Sequence, residues 1–154
     1  FHAEGRAVAR WQAALEEFKG GYRKHSHMDA EMRESLGVMQ MVMSLKRNFP
    51  NHLHFLKGNH ENIANEQGEG NYPFLKFANE GLMVRIYMEH FYGEEVLSTY
   101  AEFEKSLPLL AVGGAFLPSH AEPAWFIPKR STRRPSTSFP TWLTTPTGVF
   151  IRSF

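Results

Sequence analysis

HLHFLKGNHENIAN, residues 52–65, is the stretch on which the reading of the fold turns. A short apolar run, Leu53 to Leu56, stops at Gly58, and four polar residues follow without a break: Asn59, His60, Glu61 and Asn62. The run reads as a strand, His52 to Lys57, bounded by a breaking glycine. Along such a strand His52 and His54 share one face. Two histidines so placed can ligate a metal, but they more often line a half-buried sheet face, and that is the expectation here.

The turn after the run carries the chemistry. Gly58 lets the chain leave a strand sharply and lets a ligand approach the backbone. Asn59 offers a neutral amide oxygen, His60 can move a proton near neutral pH, and Glu61 can orient the loop from behind. Average residue usage makes a chance GNHE in a chain of this length an event of about one in a thousand. A polar turn capped by Asn is the plain alternative.

Outward from this stretch the chain reads as helical on both sides. Residues 3–18 place Val8, Trp11, Leu15 and Phe18 on one stripe, ended by Lys19-Gly20-Gly21. Asp29 is the expected N-cap of a second helix reaching about Phe49, with Met32, Leu36, Met39 and Met43 as its buried stripe and Pro50 as its stop. The methionines read as core filler rather than a binding groove. From Tyr72 to Ser106 the pattern is again helical. Phe74, Phe77 and Ala78 begin it, Val84, Tyr87, Met88 and Phe91 continue it, Gly93 interrupts, and Val96, Tyr100 and Phe103 resume the stripe. Leu107–Val112 and Ala115–Pro118, joined by Gly113-Gly114, read as a β-hairpin that delivers Ser119-His120-Ala121-Glu122. A second strand thus also ends on a histidine.

Composition bounds the rest. At 154 residues, 42% of them hydrophobic and 21% charged, the chain suits one globular domain. There is no cysteine, so any metal site must draw on His, Asn, Asp or Glu. No apolar run approaches bilayer length and no signal-peptide pattern opens the chain, so no membrane partner and a cytoplasmic location are expected. The first residue is Phe1 rather than Met, as in a piece of a longer protein. After Glu122 the only charges are Lys129, Arg130, Arg133, Arg134 and Arg152; with a total of +1, the first 122 residues carry −4. An acidic body argues against nucleic acid as the main partner. Residues 1–128 form the expected domain. Residues 129–154, rich in Ser, Thr, Pro and Arg, read as a basic tail, disordered or loosely docked.

FLKGNHE resembles the GNHE element of the calcineurin-like metallophosphoesterases, especially their phosphoprotein-phosphatase-like branch. The order of the other features agrees over about residues 29–124: a helix before the motif, a mixed helical stretch after it, then SLPLLAV-GG-AFLPSHAEP, similar to that family's hairpin. The resemblance implies an α/β fold, part of an αββα sandwich. It also implies hydrolysis of a phosphate ester, on a phosphoprotein or a small molecule, by a water bridging two divalent metal ions (Mn, Fe, Zn or Ni). By position it makes Asn59 a metal ligand, His120 a second metal ligand, His60 the catalytic proton donor at the phosphate, and Glu61 the supporting residue behind them.

The departures from that pattern are part of the expectation. The chain has no Asp-x-His pair, no Gly-Asp element and no later Gly-His, and its only aspartate is Asp29. The opening FHAEGR falls where residues following a Gly-Asp would, which sets His2 or Arg6 near the phosphate. His120-Ala121-Glu122 replaces the branch's His-Gly-Gly, and the added carboxylate alters the substrate mouth. The chain alone is therefore expected to be incomplete and inactive. The alternative is a non-catalytic binding or scaffold module that keeps the fold, with the aromatic helical segment and the basic tail meeting a protein partner.

Overall fold

Four amphipathic segments become helices in the computed structural model, which describes residues 7–67, 72–114 and 116–120 and the backbone of 150–152. They are α1 (Val8–Lys19), α2 (Ser26–Asn48), α3 (Glu80–Tyr92) and α4 (Glu94–Ser106). Two units emerge, one of Phe1–Phe55 with Asn59–Ser106 and the other of Leu56–Gly58 with Leu107–Phe154. The expected boundary at 128/129 lies outside the described residues.

The expected α/β sandwich is not what the chain forms. The described residues are mostly helical, and their β structure amounts to Leu110–Val112 (β1) laddered antiparallel with Phe150–Arg152 (β2). The run read as a strand, His52 to Lys57, has no regular secondary structure. A strand exists only through a partner that takes its amides and carbonyls. Here the amides of His52 and Leu53 turn back to the Phe49 carbonyl, and Lys57 donates to Pro108 at 2.9 Å. Lys46 Nζ occupies the carbonyl of Leu53, which a ladder would otherwise use, together with that of Pro50 just before the run.

In the first unit α1 packs on α2, α3 on α4, and α1 also meets α3. The core gathers Trp11, Ala14, Met28, Met32, Met83, Val84, Tyr87, Met88, Leu97 and Ala101, with Leu15, Phe18 and Leu36 packed against it. The α1 stripe is thus as expected at its centre. The α2 stripe fades along the helix: Met32 is buried, Leu36 packs against the core and Met39 is half-buried, whereas Met43 is exposed; off the stripe, Val38, Met41, Leu45 and the capping Phe49 are 48–60% exposed. On α4 the buried line is Leu97, Ala101 and Glu104 rather than Val96, Tyr100 and Phe103.

Two helix starts differ from expectation, for one physical reason. α2 begins at Ser26, with His25 at the cap position and no cap from its own side chain. Glu17, in the last turn of α1, supplies it: its carboxylate accepts the amides of His27 and Met28, both at 3.0 Å, and the His27 ring at 2.8 Å. These are amides that a helix start leaves without intrahelical partners. Asp29, inside the first turn, instead receives the Tyr87 hydroxyl and His25 Nδ1. Likewise α3 begins at Glu80, eight residues later than Tyr72. The fully buried Glu80 carboxylate reaches back to the amides of Lys76 at 2.9 Å and Phe77 at 2.7 Å, holding them in a bend.

Other contacts fix the corners. Arg10 of α1 pairs with Glu31 and Glu34 of α2. Tyr22, at φ 54°, sits in the left-handed region, and its hydroxyl donates to the Met83 carbonyl at 2.9 Å. Gly93, at φ 85°, ends α3 and lets α4 start in a new direction; the interruption falls where the sequence put it. At Gly81 an added Cβ would lie 3.0 Å from the Phe74 backbone N and O.

In the second unit the amide of Ala111 donates to Pro118 and that of Gly113 to Phe116, and Leu110 bridges Ser119. The expected second strand, Ala115–Pro118, is not a strand in its described residues 116–118; Leu110–Val112 ladders with Phe150–Arg152 instead, and the link to Ser119 is an isolated bridge. No described helix is long and apolar enough to cross a membrane.

Burial pushes the Glu17 and Asp29 carboxyls up. For Glu17 the His27 and Met28 amides and the His27 ring outweigh it, and for Asp29 the Tyr87 hydroxyl and His25 do, so both end below the usual carboxylate range. Their contribution is therefore complete above the unfolded carboxylate range and drains away as pH falls through the depressed folded values. Urea midpoints should drop between about pH 5 and pH 3, and drop less in Glu17→Gln. At neutral pH Glu17→Ala should lose about 2 kcal/mol in the same measurement. Gly81→Ala should lose about 1–3 kcal/mol despite the better helix propensity of Ala, because backbone must move to admit the methyl.

Candidate functional site

Asn59, His60 and Glu61 stand together on one turn of the first unit, directly after the irregular segment found where a strand was expected. Asn59 is exposed at the tip, and His60 and Glu61 are half-buried. The backbone behind them is folded tightly. Asn62 donates to the His60 carbonyl at 2.9 Å, and Asn65, at φ 57°, donates its amide to the Asn62 carbonyl at 3.1 Å. The Asn62 side chain closes the other end through the backbone of Glu66.

Two bonds fasten this turn to the helices. The Ile63 amide donates to the Glu104 carboxylate of α4 at 2.7 Å, and Asn65 Nδ2 donates to the Gly81 carbonyl of α3 at 3.2 Å. Ile63 itself is buried in the core. Glu104 is 3% exposed, so its carboxylate is worth having in the interior only while it is met by donors. Burial first, then the charges of Glu104 and Glu61, push the Tyr100 hydroxyl well above its ordinary range.

His60 lies flat on Phe74, the ring centroids 4.3 Å apart and the planes 16° from parallel. Sequence periodicity gave Phe74 a place at the start of a helical stripe; no local signal marks it as the neighbour of a histidine fourteen positions earlier. Glu104 was equally hidden, because a carboxylate on an apolar face reads as a break in the pattern.

His120 belongs to the second unit, exposed, directly after the Ser119–Leu110 bridge. His52 is exposed and His54 half-buried, without the alternation a strand would impose. His2, Arg6, Ala121 and Glu122 lie outside the described residues.

The donors can be tested against a pair of divalent ions. Among the described residues no group of three or more His, Asp or Glu side chains is arranged to hold a metal. Asp29 is engaged with Tyr87 and His25 at the start of α2. The resemblance supplies the amide oxygen of Asn59 and the imidazole of His120, and one neutral amide and one imidazole are too few donors for two hydrated dications.

The Glu104 bond is open to direct measurement. Glu104→Ala should lose about 2 kcal/mol of stability and turn the Ile63 amide from slowly to rapidly exchanging, whereas Glu104→Gln, which keeps an acceptor oxygen, should lose less. Comparison with protein-family models, with curated proteins and with solved structures gives no match to the chain.

Proposed function

We propose that the chain is part of a metal-dependent phosphoesterase, acting on a phosphate ester of a protein or a small molecule, and that these residues alone do not complete its site. In this reading Asn59 is one metal donor and His120 another. His60 gives a proton to the leaving-group oxygen, and Glu61 supports the loop. The observation that carries the reading is the build of the turn. Asn59 is exposed at the tip, while His60 is held against Phe74 and the backbone behind it is fixed by Glu104. Fixed geometry of this kind is what a proton donor at a phosphate requires.

A non-catalytic binding module has one observation in its favour: Val38, Met41 and Leu45 along the second half of α2, with Phe49 at its C-terminal cap, are exposed. The coding sequence upstream of Phe1 separates the two. The phosphoesterase reading expects Asp-x-His followed by Gly-Asp there; other residues in those places favour the binding module.

With the upstream residues included, the protein should hydrolyse an aryl phosphate in Mn²⁺, and His60→Ala and Asn59→Ala should each lower kcat at least a hundredfold. Residues 1–154 alone should bind Mn²⁺ no tighter than about millimolar and hydrolyse at the blank rate. Parental activity in both variants, or two tightly held metals per 154-residue chain by elemental analysis, would sink the proposal.

A further inference from the structure

The Phe74 ring covers one face of His60, and the two planes are nearly parallel. A stacked imidazole keeps its two nitrogens in the plane, directed along the neighbouring ring rather than into it. The stack thus fixes the plane in which Nδ1 and Nε2 lie.

Phe74 is itself held from behind by backbone. The Gly81 amide donates to the Phe74 carbonyl at 3.0 Å, and the missing Cβ of Gly81 leaves just the space that Phe74 N, Phe74 O and Pro73 Cβ fill. Gly81 lies in the first turn of α3, next to Glu80, whose buried carboxylate fixes the amides of Lys76 and Phe77. The Gly81 carbonyl in turn takes Asn65 Nδ2 from the loop that carries His60. The start of α3 therefore grips both partners of the stack: Phe74 through the amide of Gly81, and the histidine loop through its carbonyl.

We infer that Phe74 is a positioning residue for His60, its ring fixing the plane of the imidazole, and that Gly81 sets the place of Phe74. The inference rests on the assignment of His60 to the phosphate. Phe74 does not belong to the buried core cluster, so its replacement tests orientation rather than folding.

The first arm needs no activity and uses residues 1–154. In proton NMR the ring protons of His60 should be shifted upfield of those of exposed His27 by the Phe74 ring current. Phe74→Leu should abolish that shift, Phe74→Tyr should retain it, and Gly81→Ala should reduce it, with far-UV circular dichroism unchanged in the two Phe74 variants. The second arm uses the protein with its upstream residues in Mn²⁺. Phe74→Leu should lower kcat about ten- to a hundredfold at unchanged KM, and Phe74→Tyr should restore it.

A His60 shift indifferent to Phe74→Leu overturns the inference outright. So does parental kcat in Phe74→Leu when His60→Ala has lost activity, and that outcome leaves the phosphoesterase reading standing. Parental kcat in His60→Ala overturns that reading and the inference resting on it together.

Discussion

Glu17 reaches from the last turn of α1 to the first turn of α2, where its carboxylate meets the amides of His27 and Met28. Glu80 does the same for Lys76 and Phe77, and Glu104 for Ile63. The rest of the first unit depends on this arrangement. Helix starts and tight loops present amides that no regular structure satisfies, and in the interior each such amide is a liability of about 1–3 kcal/mol. A buried carboxylate is a larger liability still. Each removes the other's penalty when they meet, and each meeting fixes a corner of the chain.

The same logic explains why the candidate loop is well defined although most of it lies outside helices. Ile63 enters the core, Glu104 takes its amide, and Asn65 joins the loop to α3. Asn59 is left at the tip and His60 against Phe74. The shape of the turn follows from residues that read as scaffolding, and the residues that read as chemistry are carried by it.

Legibility in the sequence divides along the same line. Apolar periodicity locates α1 and the body of α3, because Trp11, Val84, Tyr87 and Met88 face the core, but it places the start of α3 eight residues early, where Glu80 holds the chain in a bend. The break at Gly93 was equally plain, since a positive φ there suits glycine alone. The start of α2 was missed because its cap comes from Glu17, nine residues before Ser26, and spacing rules look only within a helix. The α4 face was misread by one position because Glu104 stands where an apolar residue was sought. The strand at His52 to Lys57 was read from its own composition, whereas a strand is a property of two segments; Lys46 and Phe49 meet its polar groups instead. The site residues Asn59, His60 and Glu61 were visible as one cluster, but Phe74, which sets the plane of His60, was not.

α2 has a further consequence. At 23 residues it is about 35 Å long, but its buried side chains, Met28, Glu31 and Met32, all fall in the first seven positions. Beyond Val38 little apolar surface is withdrawn from water, and helices gain most of their stability from such burial. One geometric element is thus two energetic ones. On this burial the first turns should open only when the unit unfolds, whereas the last should open on their own, held chiefly by local propensity. The anchor of Lys46 on Pro50 and Leu53 belongs to the second part, so the residues just after α2 share the softness of that helix end, while the turn beginning at Asn59 shares the stiffness of the core through Ile63 and Glu104.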